Sequence, residues 1–264
     1  MYPFEYHKAG SVADAVKAQS GADEGKYLAG GMTLLPTMKQ RLAAPSDLID
    51  LAGIADLKGI KVDGKTVTIG AMTTHWEVHS SAEVQKAIPA LSYLAGLIGD
   101  PMVRHRGTIG GSLANSDPSA DYPAAVMGLG ATIKTNKREI AADDYFKGLF
   151  ETALEDGELI TAVVFPIPKK AGYQKFPQPA SRYAMVGVMV AETDSGIRVG
   201  VTGAGPCAFR VPEMEKALSS KWASDSVANI KVSADGLNSD IHGSAAYRAH
   251  LVTVMAKRAV DAAA

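Results

Sequence analysis

The chain has 264 residues, 47% of them hydrophobic, with 27 basic and 28 acidic side chains and a formal net charge of −1. A chain of this length buries a large core and divides into two domains, or a bilobed domain plus another, and its balanced charge gives no electrostatic case for nucleic acid or an anionic membrane as partner. A single cysteine, Cys207, excludes an internal disulfide and any iron–sulfur cluster or zinc site held by cysteines of this chain alone.

The N-terminus, Met1 to Glu5, lacks a basic segment followed by an apolar one, so no secretory signal is expected there and a cytoplasmic location is. No uninterrupted apolar stretch reaches spanning length, so no membrane span is expected. Ser11 opens a short helix with Asp14 in its first turn and Val12, Ala15 and Val16 on an apolar face. A strand over Tyr27–Ala29 runs into Gly30-Gly31. Thr33 then stands as N-cap of a helix from Leu34 to Leu42, with Pro36 in its first turn and Met38 and Leu42 pointing inward. Pro45 ends that helix, and residues 48–51 read as a strand. Strand, glycine turn and helix in this order put free N–H groups and a helix N-terminus beside a small anion, usually a phosphate.

Asp63-Gly64 is a turn, and Val67 and Ile69 alternate with threonines on a half-buried strand. Thr74 starts a helical patch through His79. Pro89 opens another helix to about Ile98, with Leu91, Leu94, Ala95 and Ile98 on one face. The six histidines are scattered; His75 and His79 could share a helix face, but no further ligand lies nearby, so no metal site is expected. Next comes the stretch Arg106 to Pro123, in which Gly107, Gly110 and Gly111 precede Ser112, Asn115, Asp117-Pro118 and Asp121. Glycines admit positive φ and close approach of a ligand to the backbone, and successive N–H groups in such a turn form a concave anion site. Two glycine loops in one chain suggest one diphosphate held from two sides. Neither fits the dinucleotide G-x-G-x-x-G or the Walker pattern.

Beyond this point a short helix is expected over Tyr122–Leu129, a strand over Ala131–Thr135 with a partner near residues 139–142, and a strongly apolar strand over Leu159–Phe165. The Pro- and Lys-containing stretch from Pro166 to Gly172 is the expected boundary. Residues 186–192 and 197–201, joined at Ser195-Gly196, form a hairpin. Ser244 caps a final helix with Tyr247, Leu251, Val254 and Met255 at helical spacing.

Taken together, these residues resemble a known family. Ala29, Gly30, Gly31, Met32, Thr33 and Leu34, followed by Leu35-Pro36, resemble the first FAD loop of the flavoprotein (medium) subunit of molybdenum hydroxylases, the group of carbon monoxide dehydrogenase and xanthine dehydrogenase. Thr108, Ile109, Gly110, Gly111 and Ser112, followed by Asp117-Pro118 and Asp121, resemble its second. The likeness continues through Leu159-Ile160, Lys175, Arg182-Tyr183-Ala184 and the helix after Ser244, and so covers nearly the whole chain.

The resemblance implies an α+β fold: a two-lobed FAD-binding domain of the vanillyl-alcohol-oxidase type over residues 1–168 (lobes about 1–57 and 58–168), then an α+β C-terminal domain over 173–264. FAD would lie between the lobes with its pyrophosphate against both glycine loops. Asp121 would bind hydroxyls of the sugar region, Tyr183 would cover one face of the isoalloxazine, and Leu159 and Lys175 stand at family positions of the cofactor site. By composition alone Lys175 reads as a solvated surface lysine. Met32, Ser112 and Arg182 depart from residues frequent in relatives, which weakens carbon monoxide as the substrate. The function implied is electron transfer: a partner small subunit with [2Fe–2S] clusters delivers electrons to the FAD, and substrate oxidation occurs on a large subunit with a molybdenum cofactor, in a heterotrimer or a dimer of heterotrimers. No catalytic residue is expected on this chain. The alternative is a self-contained flavin oxidase or reductase, which would need an acid or base over the flavin.

Overall fold

The computed structural model describes residues 1–263. Three successive sheets organise the chain. The first is parallel, with Asp47–Asp50 between Glu5–Lys8 and Gly25–Leu28. Parallel neighbours need crossover connections, and the helices Val12–Ser20 and Leu34–Lys39 supply them. Ser11 caps the first, its Oγ accepting from the Asp14 N–H at 3.1 Å. The second helix is shorter than the apolar pattern suggested. It ends at Lys39, Arg41 takes a left-handed φ of 59°, and Leu42 is 79% exposed while Met38 is buried. Leu42 therefore lies past the helix, where the helical spacing no longer applies to it.

The second sheet is antiparallel, in the order Ile60–Val62, Thr66–Gly70, Ile160–Pro166, Thr132–Thr135, Glu139–Ala141. The apolar run that begins at Leu159 is its central strand, which accounts for its near-continuous hydrophobicity. Val67 and Ile69 are fully buried and the alternating Thr66 and Thr68 only partly. Helices Pro89–Gly96 and Tyr122–Leu129 cover this sheet, and every residue of the latter is buried.

That all-round burial has a reason: the helix is sandwiched between the second sheet and the third. The third sheet is antiparallel, in the order Lys170–Pro177, Ala184–Thr193, Gly196–Thr202, Phe209–Arg210. Gly128 and Gly200 allow the contact; a Cβ on Gly200 would lie 2.5 Å from the Gly128 nitrogen. The opposite side of the sheet is covered by Ala245–Asp261, whose Leu251 and Met255 are buried but whose Tyr247, at 42% exposure, stays largely in solvent. Ser244 caps this helix through the Tyr247 N–H. The expected boundary stretch turns out to belong mostly to strands. One strand ends at Pro166 and the next begins at Lys170, leaving only Ile167, Pro168 and Lys169 as the connection.

Candidate functional site

A cleft of about 550 Å³ opens where the three sheets converge, within the range of pockets that hold cofactor-sized ligands. The first wall is the turn after Gly25–Leu28. Gly31 has φ +74°, a conformation that side-chain-bearing residues avoid. The N–H groups of Gly30, Gly31, Met32, Thr33 and Leu34 form no backbone hydrogen bond with any described residue. A consecutive row of free N–H groups at the start of a helix is an anion cradle. Thr33 holds the N-cap position but its side chain forms no capping bond, so the row is not blocked from within.

The second glycine segment works differently from expectation. It is the beginning of a helix, Ile109–Asn115, capped by Thr108, whose Oγ1 accepts from the Gly111 N–H at 3.1 Å. Gly110 and Gly111 do not have positive φ. Their N–H groups are spent within the chain, as are those of Ile109, bonded to the Thr73 carbonyl, and Ser112, bonded to the Thr108 carbonyl. The glycines serve close packing instead: a Cβ on Gly110 would lie 2.6 Å from the Ala71 Cβ. Ile109 is fully buried in the core and does not line the cleft. The two segments touch directly. A Cβ on Gly30 would collide with the Arg106 carbonyl oxygen and lie 2.8 Å from the Gly107 Cα. One loop thus offers N–H groups, and the other is a glycine-smooth wall packed against it.

Ala29, Gly30, Gly31, Met32, Thr33, Leu34, Thr108, Gly110, Gly111, Ser112, Asp117, Asp121, Leu159 and Tyr183 all line the cleft. Lys175 does not; it lies behind the wall, only 4% exposed, and is no surface lysine. Its Nζ lies 3.0 Å from Asp121 Oδ1 and donates to the Leu97 carbonyl at 2.9 Å and the Arg182 carbonyl at 2.8 Å. Asp121 Oδ1 also accepts from the Tyr173 hydroxyl at 2.6 Å. Burial pushes the Asp121 carboxyl upward, while the Lys175 ammonium and the Tyr173 hydroxyl pull it back. Asp121, expected from the sequence to bind sugar hydroxyls of the cofactor, lines the cleft and is also engaged by the third sheet. Asp117 shapes its turn, accepting from the Ser119 N–H at 2.8 Å, and the following Pro118 and Ala120 carbonyls accept from the Thr202 hydroxyl.

Through Lys175 this buried cluster also sets the segment that carries Tyr183. Gln178 and Tyr183 close a turn (Gln178 N–H to Tyr183 carbonyl, 2.8 Å), Arg182 sits at φ +62°, and its guanidinium donates to the Gly99 carbonyl at 3.3 Å. Tyr183, 46% exposed, stands at the cleft mouth. Burial and the charges of Asp117 and Asp121 push its hydroxyl upward, so it stays a neutral ring, suited to stacking on a planar heterocycle.

Sequence reasoning missed His75 and Gly99 as site residues; both line the cleft, as does Asn115 of the second glycine segment. The signal for His75 lay in its neighbours: Thr74 and Glu77 form a capping box, so the helix His75–Ser80 starts at a fixed point. An isolated bridge between Thr74 and Thr108 then holds that point beside the second glycine segment. Burial, then Arg104, lower the His75 pKa to about 4. Among the described residues no group of three metal-ligating side chains occurs, and no helix is long and apolar enough to cross a membrane.

The profile of the family described as "FAD binding domain in molybdopterin dehydrogenase" matches residues 2–168. The chain is 37% identical to the carbon monoxide dehydrogenase medium chain of Afipia carboxidovorans, over 98% of this chain and 96% of that one. It is 35% identical to the glyceraldehyde dehydrogenase medium chain of Sulfolobus acidocaldarius, covering 98% of each. The solved structure of reconstituted CO dehydrogenase from Oligotropha carboxidovorans superposes with a TM-score of 0.90 at 35% identity, over 98% of this chain and 97% of that one. The chain belongs to the FAD-binding medium subunits of molybdenum-containing dehydrogenases. It is an FAD-dependent oxidoreductase subunit with an α+β fold. The free N–H row, the glycine wall and the neutral tyrosine at the mouth fit a cofactor with an anionic diphosphate and a planar ring.

Proposed function

We propose that this chain is the electron-transferring subunit of a molybdenum hydroxylase or dehydrogenase, holding FAD between the first two sheets and passing electrons from [2Fe–2S] clusters of a small partner to an external acceptor. The observation that carries the assignment of the site is the row of unpartnered N–H groups from Gly30 to Leu34, closed on its far side by Arg106 and Gly107. In this reading Gly30–Leu34 bind the diphosphate. Gly110, Gly111, Thr108 and Ser112 form the wall that excludes water from it, Asp117 holds the turn beside it, and Leu159 packs on the cofactor. Asp121, on the cleft wall, and Lys175, behind it, orient the segment bearing Tyr183, which covers the isoalloxazine. Bound flavin supplies the ability to take electrons in pairs and release them singly.

The domains are 1–168 for FAD and 173–264 for the C-terminal domain, whose third sheet completes the cleft. Substrate oxidation belongs to a large molybdenum-cofactor subunit, the assembly is a heterotrimer or a dimer of heterotrimers, and its location is cytoplasmic. The medium chain of CO dehydrogenase among the relatives supports this assembly. Acid precipitation of the purified chain tests the cofactor: FAD should appear in the supernatant at about one per chain. FMN there, or flavin retained in the pellet, would refute the two-segment diphosphate site or its non-covalent character. The lone chain should show no substrate-driven flavin bleaching, and addition of both partners should restore it. Bleaching of the lone chain by a small organic substrate would replace this reading with a self-contained flavoenzyme.

A further inference from the structure

Buried polar side-chain atoms normally find hydrogen-bond partners. Among the described residues His75 Nδ1, Arg104 Nε and the Tyr122 hydroxyl find none, and they belong to one neighbourhood. The His75 and Tyr122 rings lie 5.4 Å apart at 50°, and Arg104 acts electrostatically on the imidazole. His75 is 5% exposed and lines the cleft. The edge of its ring faces the second glycine segment: a Cβ on Gly107 would lie 2.6 Å from Nε2. The His75 backbone is fixed there too, its N–H donating to the Gly107 carbonyl at 3.0 Å.

The position of the ring along the cleft follows from two contacts. On one side Gly107 packs on Gly30, the first residue of the free N–H row. On the other, the hypothetical Gly107 Cβ lies 3.2 Å from the Val103 carbonyl, and Val103 packs against Gly99, whose carbonyl accepts from Arg182 beside Tyr183. His75 is thus bracketed by the diphosphate cradle and the tyrosine end. A ligand spanning both passes this ring, whose Nε2, unlike Nδ1, is not among the fully enclosed unpartnered atoms.

We propose that His75 is a direct cofactor contact, its neutral imidazole hydrogen-bonding through Nε2 to the ribityl–diphosphate span of the flavin dinucleotide. This inference rests on the FAD assignment above and adds a binding residue to it. A neutral imidazole offers one N–H donor and one acceptor. It can therefore pair with a phosphate oxygen or a ribityl hydroxyl without placing a second charge beside Arg104. Deleting the imidazole leaves the facing cofactor oxygen without its partner in a largely buried wall, the arrangement that makes a polar deletion costly.

The test measures FAD affinity of the full-length chain by flavin fluorescence for the wild type, His75→Gln, His75→Leu and His75→Phe, with the melting temperature of each apo chain alongside. Glutamine can present an amide N–H near the Nε2 position, and leucine and phenylalanine cannot. The expected result is that His75→Gln stays within about threefold of wild type while the apolar variants bind about tenfold more weakly. The apo melting temperatures of the apolar variants should not fall. An apolar variant that folds and binds FAD as tightly as wild type overturns the proposal, and so does a His75→Gln as weak as His75→Leu, since the ring would then contribute only shape. If the wild type itself fails to bind FAD, the FAD assignment falls rather than this contact.

Discussion

Replacing Gly30 with valine places a side chain where the two glycine segments meet. The new Cβ would overlap the Arg106 carbonyl oxygen and lie 2.7 Å from the Arg106 carbonyl carbon and 2.8 Å from the Gly107 Cα. Carbon–carbon contacts settle at about 3.5–4.0 Å, so the segments must part by roughly 1 Å. All the clashing atoms are backbone, so no rotamer change relieves them. Overpacking of this kind costs about 1–3 kcal/mol of stability. The larger effect falls on the cradle, because Gly30 begins the row of free N–H groups. Hydrogen bonds to a charged group contribute about 1.5–3 kcal/mol each, so misplacing two of them raises the FAD dissociation constant by about 100-fold or more. Fluorescence titration of the apo chain reads this directly, with far-UV circular dichroism to show that the chain still folds. Gly64→Asn is the control, since Gly64 sits at φ +88° with nothing near its Cβ position and is remote from the cleft. A folded Gly30→Val chain that binds FAD within about threefold of wild type would refute the cradle.

Asp121→Ala leaves the Lys175 ammonium, 4% exposed, without its carboxylate; urea denaturation should show a loss of about 3–5 kcal/mol, and the double variant Asp121→Leu/Lys175→Met should recover much of it. The unfolded chain protonates His75 near pH 6.5 and the folded chain only near 4. Because the unfolded state binds more protons in that window, wild-type stability should fall as pH drops from 6.5 to 4, by up to about 3 kcal/mol. Arg104 and Tyr122 face the ring, and neither reverses that sign; His75→Gln should flatten this part of the profile, and an identical slope in both chains would show that His75 does not titrate as described. Tyr183→Ala should keep FAD bound, with affinity lower by about 1 kcal/mol and flavin fluorescence higher; unchanged fluorescence would remove the ring from the flavin face.

What the sequence determined by itself was order and local character. Apolar alternation at Val67 and Ile69, the serine caps at Ser11 and Ser244, and the turn at Asp63-Gly64 are short-range signals, and each element stands where they put it. The two glycine motifs and their family likeness were equally legible, as was the FAD they implied, because a motif is contiguous. Tertiary structure alone decided how each motif is used. Gly110 and Gly111 looked like flexible turn residues, yet they sit in a helix with their N–H groups spent, because the Ala71 carbonyl arrives from elsewhere in the fold to accept from Gly110 and the capping Thr108 hydroxyl accepts from Gly111. Lys175 looked like a solvated lysine, and only the approach of the third sheet to the helix beginning at Tyr122 buries it against Asp121. For His75 the sequence offered only the Thr74 and Glu77 signal for a helix start, and nothing that placed its ring in a cleft. His75 becomes a cleft residue because a bridge between Thr74 and Thr108 brings together segments far apart in the chain. Spacing encodes which neighbours along the chain can share a face. It does not encode which distant backbone arrives to accept a hydrogen bond, and that arrival sets whether a glycine N–H is free for a phosphate or already taken.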